Sequence, residues 1–196
     1  MQAARYLLVV ALAALAGCVT PPGGYQRPSG AVVLKPLPKE KFWWGTSTAS
    51  FQNEDRGLAP DDPMNFRTDW DVFAEEGKTP ARGDKAVSSW TRFDLDLGAL
   101  KQLGVSHFRF GVEWARIEPR PGVINGKALA RYVEMARQLR AAGIEPVVTL
   151  WHFTFPDWLY DKKDKRRVNF LHPDAKEAWR AHVTRVVQAM APYVRI

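Results

Sequence analysis

From Ser88 onward the apolar positions switch between two rhythms. Trp90, Phe93, Leu97, Leu100 and Leu103 recur at spacings of 3, 4, 3 and 3, which predicts a helix with one apolar face, closed by Gly104 as its C′ residue. Val105 to Val112, with Phe108-Arg109-Phe110 inside it, predicts a strand. Leu129, Tyr132, Val133, Ala136 and Leu139 then share one face of a helix expected over Lys127 to Ala142 and ended by Gly143. The run around Val147 and Val148 is apolar on both faces and β-branched, so it reads as a fully buried strand. Ala178, His182, Val183, Val186 and Met190 give an inner face to a last helix over Asp174 to Ala191. Upstream, Phe42-Trp-Trp-Gly-Thr-Ser-Thr48 predicts a buried first strand, and Ala49 to Asp55 a turn carrying Gln52, Asn53 and Glu54. A long irregular excursion to Gly83 follows, and its Trp and Phe content predicts that it is ordered.

Strand, helix, strand, helix, strand, helix implies right-handed βα units on a parallel sheet. The turns leading into the strands are tight, as in Leu103-Gly-Val105 and Ala142-Gly-Ile144, while the long elaborations follow the strands. That asymmetry is expected where a site is built at the C-terminal ends of strands, as in a (β/α)8 barrel. The expected fold class is therefore α/β: the first three βα units of a (β/α)8 TIM barrel, an incomplete barrel that stops at Pro192-Tyr-Val-Arg-Ile196, where a fourth strand should begin.

Composition alters this picture mainly at the N-terminus. The chain of 196 residues is 46% hydrophobic and 25% charged, an ordinary globular balance. Its start differs: Arg5 precedes an almost wholly apolar run from Leu7 to Leu15, then Leu15-Ala16-Gly17-Cys18. The run is too short to span a bilayer, and the pattern resembles a bacterial lipoprotein signal peptide over residues 1–17, with lipidation of Cys18. Cys18 is the single cysteine, so no intrachain disulfide is available. The Pro- and Gly-rich residues 18–40 read as a tether, and residues 41–196 as the globular domain. The implied location is the bacterial cell envelope, lipid-anchored on the periplasmic side or at the outer membrane. Loss of residues 1–17 would lower the formal charge of +7 by one. The densest basic segment, Asp161-Lys-Lys-Asp-Lys-Arg-Arg167, includes two acids and no aromatics for base stacking, so it reads as a solvated loop and no nucleic-acid partner is expected.

Candidate chemistry gathers where the strands end. Trp151, His152, Phe153, Thr154 and Trp158 follow the third strand, a rim suited to a sugar, since aromatic faces stack on pyranose C–H faces and an imidazole hydrogen-bonds a hydroxyl. Gln52 ends the first strand in the same sense, so both would face one mouth. Arg109, mid-strand among apolar residues, is either in an ion pair with a core acid or beneath a catalytic carboxylate that it keeps ionised. Glu113 and Glu118 suggest the carboxyl pair, about 5 Å apart, of a retaining glycosidase, but Arg116 stands between them as a salt-bridge partner and favours structural roles. The four histidines show no ligand spacing, and no phosphate-cradling glycine loop or Gly-x-Ser-x-Gly elbow is present, so neither metal nor cofactor is expected.

Three stretches carry a family resemblance. Phe42-Trp-Trp-Gly-Thr-Ser-Thr-Ala-Ser-Phe-Gln-Asn-Glu54, Phe108-Arg-Phe-Gly-Val-Glu-Trp-Ala-Arg-Ile-Glu-Pro119 and Gly143 to Leu159 resemble, in order, the first three strand motifs of family 1 glycoside hydrolases, the β-glucosidase type. The resemblance implies that Gln52 and His152 bind sugar hydroxyls, that Phe153 lines the same wall where many members have Trp, and that Arg109 supports the nucleophile. Lys165-Arg-Arg167 replaces a Gly-Gly-Trp type of turn often seen there. The substrate implied is a β-linked sugar or glycoside.

In that family the acid/base glutamate lies in a Thr-x-Asn-Glu-Pro motif and the nucleophile in a Glu-Asn-Gly motif; neither occurs in these 196 residues. The expectation is an N-terminal fragment of a lipid-anchored retaining β-glycosidase, inactive by itself and poorly soluble because its open sheet leaves an edge uncovered. Two alternatives remain open at this point: a surface-tethered sugar-binding lipoprotein without catalysis, or a fragment of another retaining TIM-barrel glycosidase family.

Overall fold

The computed structural model describes residues 42–79, 86–164 and 166–195. The expected leader, Cys18 and the tether lie outside the described residues. Three parallel strands, β1 (Gly45–Ser47), β2 (His107–Gly111) and β3 (Glu145–Thr149), form one sheet in the order β1-β2-β3. The register places Ser47, Arg109 and Val147 in one row across it.

After β1 come α1 (Ser50–Asn53), α2 (Asp69–Glu75) and α3 (Phe93–Leu103); after β2 come α4 (Trp114–Ile117) and α5 (Gly126–Ala141); after β3 comes α6 (Ala175–Met190). The strand and helix order is thus the expected one. Helix α3 begins three residues later than its apolar period suggests. Ser88 has φ +67°, which no right-handed helix accommodates, so Trp90 lies in the turn before the helix. Its end is as expected, with Gly104 in the left-handed region at φ +65°. Helix α5 starts where the Asn125 side chain accepts the Ala128 N–H at 3.0 Å.

Phe108 and Phe110 of β2 point into the main core with Phe93 and Leu100 of α3, Tyr132, Met135 and Leu139 of α5, and Val186 and Met190 of α6. A second cluster, Trp114, Phe155, Leu159 and Ala175, lies under the segment after β3, flanked by Trp151, Trp158 and Trp179. Burial of the strands departs from expectation. All of β1 is exposed and β3 is mostly half-buried, because the helices pack on only one face of the sheet among the described residues. The excursion after β1 is more regular than its sequence suggests. Thr68 and Asp71 form a reciprocal capping box that starts α2, satisfying two orphan amides of the first turn.

Candidate functional site

Because the sheet is parallel, the C-terminal ends of β1, β2 and β3 share one edge, and the segments carrying Gln52 and His152 emerge there with β2 between them. Gln52 is exposed on α1, and His152 is half-buried three residues past β3. Phe153 adopts φ +66° and is 57% exposed, with its ring 4.7 Å from that of His152. A bulky residue held in the left-handed region next to a polar ring is backbone strain of the kind that concentrates at functional sites. Arg109 is exposed on the sheet face opposite Phe108 and Phe110. It makes no ion pair among the described residues.

A buried polar layer lies directly behind these segments. Glu113, at the end of β2, accepts the Ser50 hydroxyl at 3.1 Å and the Thr154 hydroxyl at 2.9 Å on a single oxygen, Oε2. Its backbone N–H donates to the Tyr132 hydroxyl at 3.0 Å, and that hydroxyl donates to Glu54 at 2.8 Å. Burial raises the Glu113 carboxyl above its ordinary range, against the hydrogen bonds of Thr154 and Ser50. Burial likewise pushes Glu54 up to about 7, against the pull of Arg116 and Tyr132.

Arg116 corrects one expectation. It serves neither Glu113 nor Glu118 as a direct salt-bridge partner but pairs with Glu54, Nε to Oε2 at 3.1 Å. Its two remaining nitrogens donate to the Arg56 and Asp55 carbonyls at 2.6 and 2.7 Å, and its guanidinium stacks 4.0 Å from the Trp90 ring centroid and 4.6 Å from that of Phe66. The rigid fork thus fixes the backbone that leaves α1. Glu118 is spent structurally, accepting the Trp114 indole N–H at 3.2 Å and the Gly122 amide at 2.9 Å.

The segment after β3 is tied to the excursion after β1. Asp69 N–H donates to the Phe155 carbonyl, and the Phe155 amide donates back to the Asp69 carboxylate, both at 2.9 Å. Burial pushes Asp69 up to about 7 although backbone amides of Phe155 and Trp70 favour its ionised form. Among the described residues no group of three or more His, Cys, Asp and Glu is placed to hold a metal.

The roles of Ser50, Glu54, Tyr132 and Thr154 are not visible in the sequence, since each meets its partner across 41 to 78 positions. A single sequence gives no pairing for such contacts. The one available hint is the placement of Glu54 and Glu113 in the short segments that follow β1 and β2, where an unpaired buried carboxylate would be costly.

Residues 34–173 match the family model for glycosyl hydrolase family 1. The chain belongs to glycosyl hydrolase family 1. It is 33% identical over 169 residues to β-glucosidase 6 of Oryza sativa subsp. japonica, covering 83% of this chain and 31% of that protein. It is 35% identical over 127 residues to the cytosolic β-glucosidase of Homo sapiens, covering 62% and 26%. Among solved structures, rice Os3BGlu6 β-glucosidase in a covalent complex with Glc superposes with a TM-score of 0.70 at 29% identity, covering 80% of this chain and 32% of that one. The family 1 β-glucosidase of Exiguobacterium antarcticum gives 0.66 at 29% identity, covering 78% and 33%. The chain therefore spans about a third of the length of the relatives it matches. The fold is α/β, an incomplete (β/α)8 barrel represented by its first three βα units.

Proposed function

We propose that this chain supplies the sugar-gripping wall of a retaining β-glycosidase acting on β-linked glucosides. The observation that carries the reading is the placement of the Gln52 and His152 segments at one edge of a parallel sheet, in a chain of family 1. The Gln52 amide both donates and accepts, and the His152 imidazole can do the same, so together they suit adjacent sugar hydroxyls. Phe153, exposed beside His152, offers a stacking face for the ring. Arg109, on the sheet face away from the helices, supports the nucleophile by favouring its ionised form.

In the whole enzyme one glutamate protonates the glycosidic oxygen and another attacks the anomeric carbon. The sequence motifs for both are absent from these 196 residues, so the chain by itself binds glycoside without cleaving it. Residues 1–17 act as a lipoprotein signal and Cys18 carries the lipid anchor that holds the protein at the cell envelope; a Cys18→Ala variant should leave the membrane fraction.

Calorimetric titration of the purified chain with cellobiose tests the reading. Binding that disappears in His152→Ala, with no turnover of an aryl β-glucoside, is expected. Turnover, or binding indifferent to that substitution, would refute it.

A further inference from the structure

We propose that Glu113 is a positioning residue whose one carboxylate oxygen clamps the Gln52 turn and the His152 segment into a single grip. The inference rests on the reading of Gln52 and His152 as sugar ligands, but its geometry is independent of any ligand. Ser50 is the first residue of α1, two positions before Gln52, and Thr154 lies two positions after His152. Both hydroxyls converge on Glu113 Oε2, at 3.1 and 2.9 Å. The acceptor stands two residues past β2, the middle strand, between the segments that follow β1 and β3 and carry the ligands.

Each half of the clamp is fitted locally. Gly111 allows Ser50 to approach β2, since a Cβ there would stand 3.3 Å from the Ser50 backbone nitrogen. On the other side the Thr154 amide donates to the His152 carbonyl at 2.8 Å, closing a tight turn around Phe153, so fixing the Thr154 hydroxyl fixes the turn that presents His152. The carboxylate is itself held from behind. Its Oε1 accepts the Ala115 amide at 3.4 Å, and the Glu113 backbone is tied to Tyr132 of α5. Ser50, Glu113 and Thr154 are all buried, whereas Gln52 is exposed and His152 half-buried. The polar triad thus lies behind the grip and acts on sugar only through the residues it orients.

This arrangement separates the two arms. Ser50→Ala removes only the α1 arm, Thr154→Val removes only the β3 arm, and Glu113→Leu removes the acceptor that both arms share. Amide hydrogen exchange on the full 196-residue chain reads the arms without a ligand. In Ser50→Ala, exchange should quicken at Asn53 and Glu54, whose amides close α1, and not at Thr154. In Thr154→Val it should quicken at Thr154 alone, and in Glu113→Leu at all three, with Ala142 and Ile144 at the end of α5 unchanged as the internal reference.

Cellobiose affinity should fall roughly five- to tenfold in each single-arm variant, the scale of one lost hydrogen bond, and Thr154→Ser should restore it. Faster exchange at neither segment in Glu113→Leu, or equal acceleration at the reference amides with affinity per folded molecule unchanged, would overturn the clamp. If the unaltered chain binds no cellobiose, the glycoside reading fails, while arm-specific exchange still upholds the clamp.

Discussion

Arg116 donates from Nε to Glu54 Oε2 at 3.1 Å across 62 positions of sequence, with side chains only 2% and 6% exposed. A buried pair of this kind is weak evidence of net stabilisation against an apolar replacement, but removing one partner strands the other. Arg116→Ala should therefore destabilise the chain by about 3–5 kcal/mol. Arg116→Lys should recover little, because an ammonium cannot reach Glu54 and the Asp55 and Arg56 carbonyls in the same fork. Urea unfolding midpoints of the two variants check this, and a lysine variant as stable as the parent would contradict it.

Asp69 makes stability depend on pH in a direction opposite to the usual carboxylate. Its ordinary pKa of 3.8 is pushed to about 7 by burial, so between those values the folded chain holds a proton that the unfolded chain has released. Its contribution is complete below pH 3.8 and is lost as pH rises through about 7. Glu54, raised from 4.5 to about 7, runs the same way. His182, lowered from 6.5 to about 4 by burial, runs the other way, destabilising the fold as pH falls below 6.5. The difference between the parent and Asp69→Asn isolates Asp69, since the amide oxygen still accepts the Phe155 and Trp70 amides. Thermal unfolding should show the variant gaining on the parent from pH 5 to pH 8; a gap independent of pH would contradict the assignment.

Glycines separate close approach from helix propensity. A Cβ on Gly45 would stand 2.5 Å from the His107 carbonyl oxygen, so Gly45→Ala must push β1 from β2 and should cost about 1–3 kcal/mol. Gly98, inside α3 with no atom within 4 Å of its added Cβ, is the control: Gly98→Ala should stabilise by about 0.5–1 kcal/mol. Denaturant titrations with the Thr48 amide, bonded to the Arg109 carbonyl, as a local probe distinguish the two.

The order of strands and helices was legible because the 3.6 period of Tyr132, Ala136 and Leu139 survives into the core unchanged. Burial of the strands was less so. Composition made β3 look buried on both faces, but apolar side chains do not reveal which face the helices cover, and β3 is mostly half-buried. At the candidate site, the sequence marks out His152 and Gln52 by their places after predicted strands. The sequence points Arg116 to its neighbours Glu113 and Glu118 because a single chain shows proximity only along itself, whereas its partner Glu54 arrives through the parallel pairing of β1 with β2. Ser50 and Thr154 were silent for the same reason: common polar residues acquire meaning only when a carboxylate is found between them.

The central claim is that Gln52 and His152 act together on one sugar. Its most direct measurement is NMR titration of the chain with cellobiose, following the Gln52 side-chain amide and the His152 imidazole in the same spectra. The account predicts that both signals move with one shared dissociation constant, while the His182 imidazole, buried against Trp114 with ring centroids 5.0 Å apart, stays still. Movement of neither signal, or of one without the other at saturation, would contradict it.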